Sequence, residues 1–139
     1  MDIKKNQLHE EPEIYTVDNI ITDEECEHFI QIAKPFFKRA GVCADDGSTQ
    51  ISSGRTNSLC WFPHDHDDIT KRVCERISKI VGISLSFAEQ IQVIYYDTNQ
   101  RYNQHWDGWK HDKSEASFHY MKNKGQRLAT ALCYLNTVD

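Results

Sequence analysis

The sequence predicts an α+β domain. Two observations carry that reading. Capped, helically spaced apolar stripes fill the earlier part of the chain, and β-branched and aromatic runs fill the later part. Helices first and strands afterwards argue for segregated layers, or for helices packed on a β-sandwich or barrel. A third observation bounds the answer: 139 residues without a repeat, low-complexity tract or linker suit one domain with one core.

The elements follow in order. Residues up to about Pro12 are polar and are expected to be loose. EIYTVDNI reads as a short strand with Ile14 and Val17 as its apolar members. Thr22 and Glu25 form a capping-box pattern, in which the Thr hydroxyl and the Glu carboxylate satisfy two orphan amides. Cys26, Phe29, Ile30, Ala33, Phe36 and Phe37 then recur at helical spacing, which predicts a helix over 23–38, with Pro35 kinking or shortening its last turn. The Gly-, Asp- and Ser-rich stretch 41–53 reads as a flexible loop, and RTNSLCWF as extended chain. A second helix carries Ile69, Val73, Ile77, Ile80 and Val81 on one face, capped by Asp67 or Asp68 and ended by Gly82. QIQVIYY, 90–96, is a strand; DTNQ is a turn; RYNQHWD is a second strand-like segment. The polar, aromatic-studded stretch 108–124 reads as a lid, and RLATALCYL, 127–135, as a strongly apolar strand. Such a strand is seldom left unpaired at the end of a domain, which predicts that the chain is a fragment of a longer protein.

Composition excludes several classes. Hydrophobic residues make up 39% and charged residues 27%, which is ordinary globular usage. A net charge of −5 gives no nucleic-acid surface and no affinity for an anionic membrane. The start lacks the apolar core of a signal peptide, and no apolar run is long enough to span a bilayer, so an intracellular site is the default expectation. Oligomeric state is not legible. Cysteines at 26, 43, 60, 74 and 133 are odd in number and form no CxxC pair, so reduced, mostly buried thiols are expected; a Cys43–Cys60 bridge is the alternative.

The chemistry concentrates in YNQHWDGW, 102–109. His105 and Asp107 are two apart, so in an extended segment they project to one face while Trp106 points to the other. Imidazole nitrogen and carboxylate oxygen together suit a borderline divalent ion. With one more His they form a facial triad that holds Fe(II) on one side and leaves the other open. The same spacing also occurs as surface decoration, and a polar turn among aromatics stays open on spacing alone. His64, Asp65, His66, Asp67 and Asp68 are read as a solvated helix cap, His111 and His119 as exposed lid residues, and Trp106 as core packing.

IQVIYYDTNQRYNQHWD resembles the signature of the prolyl 4-hydroxylase family of Fe(II)- and 2-oxoglutarate-dependent dioxygenases. GQRLATALCYLNTVD resembles that family's next core segment, RTNSLCW its RTS-containing, Trp-ending segment, and YTVDNIITDEECEHFIQIAK its first strand and capped helix. The four segments are co-linear and cover nearly the whole chain.

The resemblance implies a double-stranded β-helix (jelly-roll) core beginning at about 89–139, preceded by a strand and helix part at about 13–88, within one incomplete oxygenase domain, 1–139. It implies His105 and Asp107 as the first two iron ligands and Tyr96 as a lining of the 2-oxoglutarate pocket. Tyr102, Arg55, Trp61, Glu89 and Arg127 match positions that shape a groove for a proline-containing peptide or protein. Fe(II), 2-oxoglutarate and O2, with ascorbate dependence, are the implied cofactors. Asn57 stands where the family usually has Ser, and DTNQ lacks the usual turn Gly. The family's third ligand, a distal His, and its 2-oxoglutarate-pairing Lys are expected past Asp139, so the chain alone is expected to be inactive. The alternatives are a catalytically incomplete peptide-binding relative, and an oxygenase of this class with a non-prolyl substrate.

Overall fold

The computed structural model describes residues 4–44, 46, 48–109, 117–118, 121–122 and 125–137. Within them the fold is α+β. Strands β1 (Asn6–His9) and β2 (Ile14–Thr16) form a hairpin, followed by helix α1 (Asp23–Ala33). Strands β3 (Lys38–Arg39), β4 (Val42–Cys43), β5 (Thr49–Gln50) and β6 (Ser58–Phe62) come next, then helix α2 (Asp68–Val81) and strand β7 (Ile91–Tyr95). The central sheet has the order β3-β6-β7, antiparallel throughout, and β4 pairs with β5 as a separate hairpin.

Each helix starts and stops for a local reason. In α1 the Glu25 amide donates to the Thr22 hydroxyl at 3.2 Å and the Thr22 amide donates to Glu25 Oε2 at 3.1 Å, completing the capping box. The helix ends at Ala33, and Pro35 continues the chain as a single 3-10 turn, Lys34–Phe36. The predicted span to residue 38 is therefore too long; proline lacks the amide that another α-turn needs. In α2 the Asp67 carboxylate accepts from the Thr70 amide at 2.8 Å. Gly82 ends the helix at φ +77°, a left-handed conformation that glycine adopts without penalty.

Alternation in β6 and β7 sets two layers. Cys60, Phe62 and Val93 face the helices and pack with Phe29, Ala33 and Val73. Each apolar side chain so buried contributes roughly 1.5–3 kcal/mol. The residues between them, Leu59 and Trp61 on β6 and Gln92 and Ile94 on β7, belong to the opposite face, with Trp61 opposite Gln92 and Leu59 opposite Ile94. That second face carries the candidate site.

Glu25 ties the two helices together. Its carboxylate is buried and accepts from Arg76 at 2.6 and 2.9 Å and from Arg72 at 3.2 and 3.3 Å. Arg76 also donates to the Ile20 carbonyl at 2.5 Å. The guanidinium of Arg76, foremost, holds the Glu25 carboxyl down at about 2.

Several expectations are corrected. Residues 6–9 are not loose, because Asn6–His9 pairs with β2. The stretch 41–53 contains the β4–β5 hairpin. Segment 101–107 forms a single bridge, Arg55 with Tyr102, rather than a strand. Residues 127–135 form no strand either. Leu128, Leu132 and Tyr134 are 82%, 64% and 80% exposed, while Leu135 packs on the core. Apolar, β-prone sequence becomes a strand only where another strand supplies its ladder, and among the described residues none pairs with it. Trp106, at 92% exposed, is not a core residue.

The cysteines are free, with Cys60 and Cys74 buried and Cys43 exposed. This excludes the Cys43–Cys60 bridge. Burial foremost pushes the Cys74 thiol up to about 11. Among the described residues no helix is long and apolar enough to cross a membrane.

Candidate metal centre

The site is built where the segment after β7 folds back over the chain before β6. Gln100 closes the 97–100 turn by donating to the Asp97 carbonyl at 3.0 Å, and Asn99 takes the positive φ, 65°, that a glycine would otherwise supply. Thr56 then captures Arg101: the Thr56 amide donates to the Arg101 carbonyl at 2.7 Å, and the Arg101 amide donates to the Thr56 hydroxyl at 2.7 Å. The Asn103 amide donates to the Gly54 carbonyl at 2.8 Å. A Cβ on Gly54 would stand 3.1 Å from the Asn103 side chain, so the close approach favours glycine there. Together these bonds place RTN beneath YNQHWD.

His105 and Asp107 are brought together. His105 Nδ1 lies 2.8 Å from the Asn103 carbonyl. A carbonyl only accepts, so Nδ1 carries the proton, and in the neutral imidazole Nε2 presents its lone pair. That Nε2 is 3.3 Å from Asp107 Oδ1. Two donors held at about 2.1 Å from one ion and at right angles stand about 3 Å apart. The nitrogen–oxygen pair therefore fits two adjacent positions of a divalent ion. Among the described residues no group of three His, Cys, Asp or Glu side chains could hold a metal. The pair meets through a bend rather than a strand pleat, which corrects the route while retaining the shared face.

A stack of planar groups supports the imidazole. Tyr102 lies parallel to His105, with ring centroids 3.7 Å apart and planes 20° apart. The Arg55 guanidinium lies 4.4 Å from the Tyr102 centroid, in cation–π contact. Arg55 is fixed in turn: it donates to Asn57 Oδ1 at 3.2 Å, to the Gly41 carbonyl at 3.0 Å and to Gln92 Oε1 at 3.3 Å. Asn57 is fully buried, and its amide also donates to the Ser58 carbonyl at 3.1 Å.

A second group adjoins through Asp107. Arg127 makes a two-pronged ion pair with Glu89, at 2.5 and 2.8 Å, and its pKa is raised chiefly by that carboxylate. Arg127 also donates to the Asp107 carbonyl at 3.2 Å and lies 4.3 Å from the Trp109 ring centroid. Gln126 pairs with the Trp109 backbone, accepting from its amide at 2.6 Å and donating to its carbonyl at 2.7 Å. Thr130 Oγ1 donates to Asp107 Oδ2 at 2.6 Å.

Glu89 and Trp61 line a concavity of about 410 Å³ with Pro63, His64, Asp65, Ala88 and Gln90. Tyr96 follows β7 directly; by alternation it belongs with Gln92 and Ile94 on the site face, and it is half exposed. Thus the structure joins Arg55, Tyr102, His105 and Asp107 into one unit, and adds Glu89 and Arg127 through the Asp107 backbone. Trp61 joins only by sharing a wall with Glu89, and Tyr96 by its face.

Within the cluster 64–68 only Asp67 caps α2, and it also joins His28 at 2.8 Å; His64 Nε2 meets the Glu89 carbonyl at 2.6 Å, and His66 packs on Phe62. His111 and His119, and most of the lid read over 108–124, lie outside the described residues. Sequence reasoning missed Thr130, Gln92, Gln126 and Trp109 as parts of the site. Trp109 closes the YNQHWDGW stretch without a role readable from it, and the other three carry no motif, since each acts through contacts distant in sequence.

No family model matches the chain. Among curated proteins, the chain is 35% identical over 130 residues to "Prolyl 4-hydroxylase 5" of Arabidopsis thaliana, covering 93% of this chain and 43% of that protein. It is 37% identical over 130 residues to "Probable prolyl 4-hydroxylase 8", with the same coverage, and 31% identical over 136 residues to "Prolyl 4-hydroxylase 2", covering 97% and 44%, both also of Arabidopsis thaliana. The chain therefore spans less than half the length of the curated relatives it matches. Over nearly its whole length the chain is thus similar to a part of several prolyl 4-hydroxylases.

Proposed function

We propose that the protein is an Fe(II)/2-oxoglutarate-dependent dioxygenase that hydroxylates prolyl residues in a peptide or protein, and that this chain supplies two of its three iron ligands, His105 and Asp107. The observation that carries the reading is the 3.3 Å approach of His105 Nε2 to Asp107 Oδ1. It is supported by the similarity to several prolyl 4-hydroxylases. Residues 89–139 are then the beginning of a jelly-roll core and 13–88 its helical flank.

In this reading bound iron supplies activation of O2, coupled to breakdown of 2-oxoglutarate, with ascorbate maintaining the metal. The chain's own residues supply geometry. Asn103 holds the His105 tautomer, and the Tyr102 and Arg55 stack holds its ring plane. The Tyr96 hydroxyl is available to donate to an acid oxygen of 2-oxoglutarate. Trp61 and Glu89, in the same concavity, offer an aromatic face and a hydrogen-bond acceptor to an extended proline-rich segment, with Arg127 beside them.

The test is succinate and hydroxyproline formation by the full-length protein with a proline-rich peptide, comparing wild type with His105→Ala. Peptide-dependent turnover that His105→Ala abolishes is the expected result. Turnover that is absent, or unchanged by His105→Ala, overturns the oxygenase reading. Peptide binding without turnover would identify the protein as a binding module instead.

A further inference from the structure

We propose that Thr130 is a positioning residue that decides which oxygen of Asp107 faces the metal, as one arm of a two-point clamp formed by Arg127 and Thr130. The inference rests on the reading of His105 and Asp107 as ligands and goes beyond it. A carboxylate presents two equivalent oxygens, and rotation about its last bond exchanges them. Only one can complete a right-angled pair with His105 Nε2. Thr130 Oγ1 donates to Oδ2 at 2.6 Å, while Oδ1 stands 3.3 Å from His105 Nε2. The hydroxyl proton therefore occupies one oxygen and leaves the other facing the imidazole.

The backbone of the same residue is gripped separately. Arg127 donates to the Asp107 carbonyl at 3.2 Å, and Arg127 is itself held by both oxygens of Glu89. Gln126 fastens the segment to the Trp109 backbone two residues beyond Asp107. The run Gln126-Arg127-x-x-Thr130 thus fixes Asp107 at side chain, main chain and flank. This accounts for an apolar stretch that forms no strand: here its polar members do the positioning. Asp107 is half exposed, so packing alone does not lock its rotamer, and the hydrogen bond has an orientation to determine. Outer-shell hydrogen bonds of this kind typically change metal affinity by 10- to 100-fold.

The test uses Mn(II), a redox-stable substitute for Fe(II), and measures its dissociation constant from the magnetic-resonance signal of the free ion. Thr130→Val keeps the shape and removes the proton; Thr130→Ser keeps the hydroxyl. The expected result is a 10- to 100-fold weaker Mn(II) affinity for Thr130→Val, recovery to within about 3-fold for Thr130→Ser, and an unchanged melting temperature in both. Equal affinities for wild type and Thr130→Val, with His105→Ala and Asp107→Ala abolishing binding, would overturn the positioning role alone. Mn(II) binding that ignores His105→Ala would overturn the ligand assignment and the inference with it.

Discussion

Replacing Glu25 by Gln tests what joins the two helices. The substitution keeps the shape of the side chain, and Gln remains competent at this capping-box position, so it removes chiefly the charge. In the wild type the carboxylate is 4% exposed and accepts from two guanidinium groups. Its displacement from 4.5 to about 2 corresponds to about 3 kcal/mol, at roughly 1.4 kcal/mol per tenfold change in proton affinity. Losing one partner of a buried pair costs about 3–5 kcal/mol, so the two routes agree. The half-exposed Arg72 contributes the smaller share and Arg76 the larger. The sign follows from linkage. Glu25 has a lower pKa folded than unfolded, so its stabilisation is complete above about pH 5 and is lost as pH falls toward 2. Urea denaturation at pH 7 should show Glu25→Gln about 3 kcal/mol less stable than wild type, with the gap falling to less than half by pH 3 and closing toward pH 2. A loss under 1 kcal/mol at pH 7, or parallel acid slopes for the two proteins, would refute the charge-pair account.

Three further outcomes are expected. Asp67→Ala removes the amide acceptor that starts α2 and the partner of His28, and should cost about 1–2 kcal/mol in urea melts, with Asp67→Ser retaining most of it. Asn57→Leu strips Arg55 of its Nε acceptor inside a fully buried position; a loss of about 1–3 kcal/mol by chemical denaturation is expected, and Asn57→Ser should be the milder change. A thiol reagent at neutral pH should label Cys43 well before Cys60 and Cys74, because Cys43 is exposed while burial both covers the others and raises their thiol pKa; equal rates would contradict the packing of α2 on β6.

What the sequence determined by itself is much of what neighbours within one turn or one pleat govern. Thr22 with Glu25, Asp67 with Gly82, and the alternation through 91–95 are each decided by backbone amides a few residues away, and the observed elements agree with them. The approach of His105 to Asp107 was legible too, from their two-residue spacing, and the structure sets Arg55 and Tyr102, which the resemblance named, beside His105. Tertiary structure decided the rest. An apolar stretch such as 127–135 has strand propensity, yet propensity supplies no partner strand, and the segment instead spends its polar side chains on Asp107. The His105–Asp107 approach was read as a strand pleat and is a bend, held by Thr56 and Gly54 from almost fifty residues earlier. Gln92 and Thr130 carry no sequence signal because what each one contributes is an oxygen or a proton placed against a residue far away in the chain. Hydrogen bonds act over about 3 Å, and only the folded chain sets which distant groups come that close.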